Sequence, residues 1–435
     1  MQLYTSCRLG CCAAALISGQ LAQADWPQFR GPTGDGHSNA RNLPLTWSET
    51  ENIRWKTAVH GRGWSSPVVL GDQIWLTTAT EDGHRLSVLA IDANSGAIVR
   101  DLDLFQVETP QFVHRFNSHA SPTPIVEPGR VYVTFGAPGT ACLDAATGKV
   151  VWSRRDIECN HYRGAGSSPI LHNELLIMHF DGSDRQFVIA LDKQSGRTLW
   201  RRERSIDFRD LDRNGQPEAE GDFRKAFATP HIAMIDQRPL LLSQGAKAVY
   251  AYEPLTGNEL WRVEERTSHS ASSRPVAGHG LVFAATGWSN GQLLALRPGR
   301  QGEVVDANVE TAVGNTDLQV VWKSQRNVPR KPSLVLHGDL LFGIDDGGIA
   351  SCLDAQTGRE FWRERARGNY SASPLCAEDR LYFLSEEGKT TVIAADRQFR
   401  VLAENQLEDG FMASPAVVDS ALILRTRTCL YRVER

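Results

Sequence analysis

Arginine, lysine, histidine and aromatic side chains gather repeatedly a few residues ahead of a recurring proline. Arg62 and Trp64 precede Pro67, Asn117 and His119 precede Pro122, and His161 and Arg163 precede Pro169. Lys225 precedes Pro230, His269 and Arg274 precede Pro275, Lys331 precedes Pro332, and Tyr370 precedes Pro374. A guanidinium fork suits carboxylate, sulfate or phosphate, and cations converging in a funnel focus the field on an anionic ligand. The aromatic and hydrogen-bonding members also suit a saccharide, or the surface of a protein partner. The competing reading is that Arg and His brace neighbouring loops by capping their carbonyls, since most charged side chains only solvate or brace.

A second constellation is Asp210-x-Asp212-x-Asn214-Gly215-Gln216-x-Glu218. Oxygen ligands at alternate positions, a glycine at the sharp turn and a backbone oxygen from Gln216 are what a calcium loop needs. An EF-hand would carry Glu where Gly221 stands, so a shorter loop closed by Glu218 fits better. Ca2+ bound there would be structural, and the same spacing also makes a solvated acidic turn. No hydrolase constellation stands out. Asp345-Asp346 and Glu386-Glu387 precede Gly and read as hairpin turns. The serines ahead of the prolines recur in unit after unit, which marks structure and not a unique nucleophile. No C-x-x-C pair offers a zinc site, and no C-x-x-C-H offers a haem attachment.

The elements that position these residues come from an internal repeat. Pro67, Pro122, Pro169, Pro230, Pro275, Pro332, Pro374 and Pro415 each open a unit, and in most units a hydrophobic hairpin follows. The unit then runs small-apolar-acid-x-x-Thr/Ser-Gly-x-x-x-Trp. Asp144, Gly148 and Trp152 share this spacing with Asp192, Gly196 and Trp200, with Glu253, Gly257 and Trp261, and with Asp354, Gly358 and Trp362. Runs such as Val131-Tyr132-Val133 read as buried strands. The acid caps turn amides, Gly takes the positive φ, and the Trp on the outer strand stacks on the next unit while its N–H finds a partner. One such unit cannot bury both faces of its sheet, and a ring of them can. The expected fold is therefore all-β, an eight-bladed β-propeller with tryptophan-docking repeats.

The last unit stops about one strand short at Cys429–Val433, and a Trp-bearing segment without a repeat before it stands near the start, Ile53 to Thr57. Residues 53–435 are thus expected to form the propeller, closed by an N-terminal strand in the last blade, with Trp55 paired into the sheet of Ser414 to Val433. Residues 25–52 form a Gly/Pro-rich arm across the ring. Residues 205–224 and 299–316 are insertions, the second read as a surface loop or helix turn. Residues 1–24, with Arg8, an apolar run and Ala22-Gln23-Ala24, read as a signal peptide, which places the protein in the periplasm or outside the cell. Cys142, Cys159, Cys352, Cys376 and Cys429 would remain, an odd number that is no disulfide framework. A net charge of −4 without basic runs gives no argument for nucleic acid, and no long apolar stretch spans a membrane. A monomer is expected.

Ala190 to Trp200 resembles the tryptophan-docking motif of pyrroloquinoline quinone dehydrogenases and of the outer-membrane assembly lipoprotein propeller. Trp26 to Pro32 and Gly410 to Pro415 look like the secreted bacterial pyrroloquinoline quinone-like repeat proteins. For the dehydrogenases the resemblance implies a quinone between a Trp and a disulfide of adjacent cysteines, over calcium held by Glu, Asn and Asp. Here the adjacent cysteines are Cys11 and Cys12, within the leader, so the quinone is not expected. The first functional reading is an exported, non-enzymatic binding scaffold with a small anionic ligand, a saccharide or an envelope protein at the funnel mouth. The alternatives are a quinone- or metal-dependent oxidoreductase and an envelope protein-assembly factor.

Overall fold

The computed structural model describes residues 25–309, 316–326 and 328–435. The signal-peptide reading of 1–24, its three cysteines, and residues 310–315 of the second insertion lie outside the described residues. Eight blade sheets stand around one axis, seven of them in chain order from the centre outward. Blade one shows the pattern: Val68–Leu70, Gln73–Ala79, Arg85–Asp92 and Ile98–Gln106. Its middle strands are almost wholly buried, and its outermost strand alternates toward solvent. That gradient follows from blade-on-blade packing, because inner strands are covered on both faces.

Blade eight is built from both ends of the chain. Ala416–Val418, Ala421–Arg425 and Cys429–Val433 supply three strands, and Ile53–Ala58 supplies the outermost. Trp55 pairs antiparallel with Arg432, as the truncated last repeat predicts. The closing strand alternates exposed and half-covered residues, with Arg54 and Lys56 on a blade edge that solvent reaches.

The indoles join neighbouring blades. Trp152 Nε1 donates to the Lys193 carbonyl at 2.9 Å, Trp200 Nε1 to Pro254 at 3.2 Å, and Trp362 Nε1 to Asp396 at 2.9 Å. The acceptors for Trp152 and Trp200 lie in the acid-to-Gly turn of the next blade, as does the Ala93 carbonyl for Trp55, and Asp396 lies in the matching turn of blade seven, which has no Gly. Gly196 takes φ +73°, and a Cβ added there would sit 2.6 Å from the Trp152 ring. The turn glycine therefore serves twice, for backbone hand and for indole contact. Blade one lacks the Trp, and Arg100 and Leu102 lie against Gly148 instead. In blade seven Phe399 meets Trp362 edge-on, with ring centroids 5.0 Å apart.

Two readings of the repeat need correction. The residue opening blade two's inner strand is Pro124, not Pro122, because that strand is Ile125–Glu127. Blade six has Leu334 at this place, two residues beyond Pro332, ahead of Val335–His337. The second insertion is also more ordered than a surface loop or helix turn. Glu303–Asp306 joins blade four as a fifth strand, parallel to Glu259–Glu264. There it pairs beside Trp261, whose own next-blade turn has Arg297 in place of an acid.

The arm crosses the ring before entering blade eight. Trp26 bridges to Val69 of blade one, and the Pro27 carbonyl accepts from Val126 of blade two. His37–Ser38 then runs parallel to Leu375–Ala377 of blade seven, and the Trp47 amide donates to Asn405 Oδ1.

Candidate functional site: a floored funnel on the ring axis

The residue two positions ahead of each inner strand faces the axis, and these residues form a hydrogen-bonded hoop, open only between Thr229 and Arg274. The Ser66 amide donates to Thr123 Oγ1, Thr123 to Ser168, and Ser168 to Thr229, at 2.9 to 3.0 Å. The hoop continues from Arg274 to Ser333, Ser373, Ser414 and back to Ser66 at the same lengths. Only Arg274 replaces a hydroxyl. A Ser or Thr hydroxyl carries one proton and two lone pairs. Ser66, Thr123, Ser168, Thr229 and Ser414 each accept a neighbour's amide and donate to no protein group among the described residues.

Above the hoop opens a cavity of about 550 Å³. Its floor includes Phe29 of the arm. Arg274, almost wholly buried, donates from Nη1 to the Phe29 carbonyl at 2.8 Å, and Arg30 Nη2 donates to the Leu334 carbonyl at 2.6 Å. Burial depresses both guanidinium pKa values, to about 9 for Arg274 and about 10 for Arg30. Trp64, Phe116, Phe227 and Trp288 supply aromatic wall, with His114 and His269 between.

Six of the sequence-derived mouth residues line this cavity: Trp64, Asn117, Arg163, Lys225, His269 and Lys331. Their cations are not free. Arg163 grips Asp222 through Nε and Nη2 at 3.1 and 3.0 Å, and Lys225 Nζ donates to the same carboxylate. Lys331 Nζ donates to Glu386 Oε1 at 2.8 Å. Asn117 is spent on loop bracing, donating to the Arg163 and Ala165 carbonyls. His269 is pushed down to about 4, by burial first and Lys225 second, and its Nδ1 meets Ser270 Oγ at 2.8 Å.

The other five lie outside the cavity lining. Arg62 stacks over Trp64 and donates to the Arg115 carbonyl. His119 packs against Gly83, and Tyr370 is fully buried, its hydroxyl donating to the Arg367 carbonyl. His161 is buried between loops, its Nε2 accepting from the Ala137 amide at 3.1 Å. Arg274 lies beneath the floor. The acidic turns Asp345-Asp346 and Glu386-Glu387 have a part at the rim that the sequence reading gave only to hairpins. Asp346 accepts the Arg330 and Lys331 amides, and Glu386 holds Lys331 and the Ser371 hydroxyl. Phe29 and Trp288 were also missed; neither stands in the mouth pattern ahead of a proline.

In the proposed calcium loop, Asp210 turns onto Arg224, which donates to both of its oxygens. Asp212 Oδ1 accepts the Asn214 and Gln216 amides at 2.8 Å. Glu218 donates its own amide to the Asp210 carbonyl. Asp210, Asp212 and Glu218 do not form a convergent ligand group among the described residues.

A protein-family model described as outer membrane protein assembly factor BamB matches residues 88–220, 184–327 and 305–423, in overlapping segments that take in most of the chain. The chain belongs to this family. It is a pyrroloquinoline quinone-like propeller. BamB from Moraxella catarrhalis superposes with a TM-score of 0.55 at 14% identity, over 87% of this chain and 99% of that one. Quinohemoprotein alcohol dehydrogenase from Comamonas testosteroni gives 0.60 at 14% identity, over 94% of this chain and 80% of that one. The computationally designed Ika8 protein gives 0.58 at 11% identity, over 90% and 99%. At such identities the likeness concerns the fold, not the site. No curated protein sequence matches the chain. No helix among the described residues is long and apolar enough to cross a membrane.

Proposed function

We propose that this chain is an exported, envelope-located binding propeller that captures a small oxygen-rich ligand of the saccharide class on the ring axis. One observation carries the reading: hydroxyls whose protons have no protein acceptor line an aromatic-walled pocket that Phe29 floors. Aromatic faces take the C–H face of a sugar ring, and a crown of donors takes its oxygens. The rim cations support an uncharged ligand over an anionic one, because Arg163, Lys225 and Lys331 each have a carboxylate partner.

The quinone reading draws less support. A divalent ion beneath a quinone needs anionic oxygen ligands. The cavity lining carries no carboxylate among the described residues, and the Asn117 side chain is engaged by the protein. The residues do not fit the group, so no redox step is derived. Calcium in the loop at Asp210 remains a proposal of its own. The hydrogen-bonded turn supports the metal-free reading, and an unchanged calcium-induced melting shift in Asp212→Ala would remove the site.

The test of the main reading is calorimetry and tryptophan fluorescence on the full chain with neutral hexoses, disaccharides, uronic acids and phosphate. Saturable binding of neutral sugars is expected, insensitive to salt and lost in Trp288→Ala. Binding of the acidic members alone, or equal binding by Trp288→Ala, would sink it. A second reading, protein capture, is favoured by Phe112 and Phe116, exposed on the loop that reaches over the mouth. A photo-crosslinker at Phe112 that traps a defined envelope protein would support that reading.

A further inference from the structure

The arm meets the ring at a second constellation, remote from the funnel's aromatic wall. His37 of the arm, His337 of blade six and Cys376 of blade seven bring ligand atoms within 4.8 Å of one another. Strand pairing fixes two of them, since His37 lies in register with Cys376 in the parallel ladder. Cys376 Sγ and His337 Nδ1 are 3.5 Å apart. With Zn–S near 2.3 Å and Zn–N near 2.0–2.1 Å, a tetrahedral site has an S···N edge of about 3.5 Å. The spacing already present is that of two ligands on one ion.

The surroundings of the His337 ring give an independent pointer. Ligating histidines nearly always donate their other ring N–H to a carboxylate or carbonyl. His337 has Nε2 at 3.0 Å from Asp379 Oδ1, which places a proton there and leaves Nδ1 as the lone-pair atom facing sulfur. His37 Nδ1 lies 3.2 Å from Asp35 Oδ1, an ion-pair distance without a hydrogen bond, while the His37 backbone amide donates to that oxygen at 3.1 Å. The His337 imidazole is thus held by an acid on one nitrogen, and His37 has an acid beside it. The two rings lie nearly parallel, centroids 5.9 Å apart.

We infer that His37, His337 and Cys376 form a site for a thiophilic cation, Zn2+ in the first instance, that clasps the N-terminal arm to blades six and seven. Thiolate with two imidazoles is a zinc-type donor set, and a water or small anion completes four-coordination. Binding releases the thiol proton, so the ion replaces the hydrogen now between Sγ and Nδ1. The occupied clasp ties down the stretch that carries Phe29 and Arg30 to the axis.

The experiment uses the full chain, stripped of metal and titrated with Co2+ and then Zn2+. One Co2+ per chain is expected, with a near-ultraviolet sulfur-to-cobalt charge-transfer band that Zn2+ displaces. Cys376→Ala abolishes the band. His37→Ala and His337→Ala weaken binding and remove the Zn2+-induced rise in melting temperature. Asp379→Asn, which only positions His337, weakens binding by about tenfold. His60→Ala, at an exposed histidine paired with Asp101, binds as the parent does. Circular dichroism of each variant separates lost ligands from lost fold, and His37, half-exposed on the arm, keeps the test open if Cys376→Ala fails to fold. Binding without a thiolate band, or binding equal in parent, His37→Ala and His337→Ala, overturns the site.

Discussion

At the scale of single residues, the turn glycines separate two physical demands. Gly196 needs a positive φ and close contact with Trp152, whereas Gly129, at φ +79°, has nothing within 4 Å of an added Cβ. Gly129→Ala is expected to cost only the left-handed penalty, roughly 1–2 kcal/mol. Gly196→Ala adds overpacking against the indole, for a total of about 2–4 kcal/mol. Denaturant midpoints of the two variants check the difference. His161 tests the charge side. Burial holds its pKa down to about 4, against near 6.5 when unfolded. Between those values the unfolded chain binds the extra proton, so this contribution is whole above pH 6.5 and declines as pH falls toward 4. The loss is roughly 3 kcal/mol across that window. His161→Gln keeps an acceptor for the Ala137 amide and is expected to flatten the dependence of melting temperature on pH over this range.

At the scale of elements, the fifth strand of blade four replaces a missing dock. Val305 is buried there and Val304 is exposed, in strict alternation. Val305→Asp places an unpaired charge against Trp261 and its neighbours, and is expected to cost several kcal/mol. Val304→Asp is expected to change stability by less than about 0.5 kcal/mol. Thermal unfolding of the pair checks whether the strand is integral. This element was illegible in the sequence, because Glu-Val-Val-Asp is short and follows no repeat template. The blades themselves were legible, since four identical acid-to-Trp spacings demand one repeated contact. The register slip at Pro122 and Pro332 has a physical cause. Two prolines lie two residues apart in blade two, and strand period two gives both the same face. What the ring conserves is the hydroxyl hoop: Ser333 keeps it where the proline is lost, and Arg274 loses it where Pro275 stays. The mouth residues were legible as loop members only. Sequence spacing placed His161 and Tyr370 in the right loops but could not give the direction of their side chains, which is inward.

At the scale of the whole molecule, the arm and the ring are one object. The arm touches blades one, two and five to eight and supplies part of the funnel floor. Phe29→Ala is therefore expected to weaken ligand capture at the opposite face of the hoop while changing the melting temperature little; paired calorimetry and melting curves measure both.

The pairing of Ile53–Ala58 with Cys429–Val433 also sets a timetable. A polypeptide delivered amino end first makes this early strand wait for its latest. Until the final residues arrive, the nascent protein is an open arc with two complementary raw borders, able to recruit one another within a chain or between chains. A version ending at Thr428 never completes the wait, and light scattering should find it assembling into higher oligomers where the full-length protein does not.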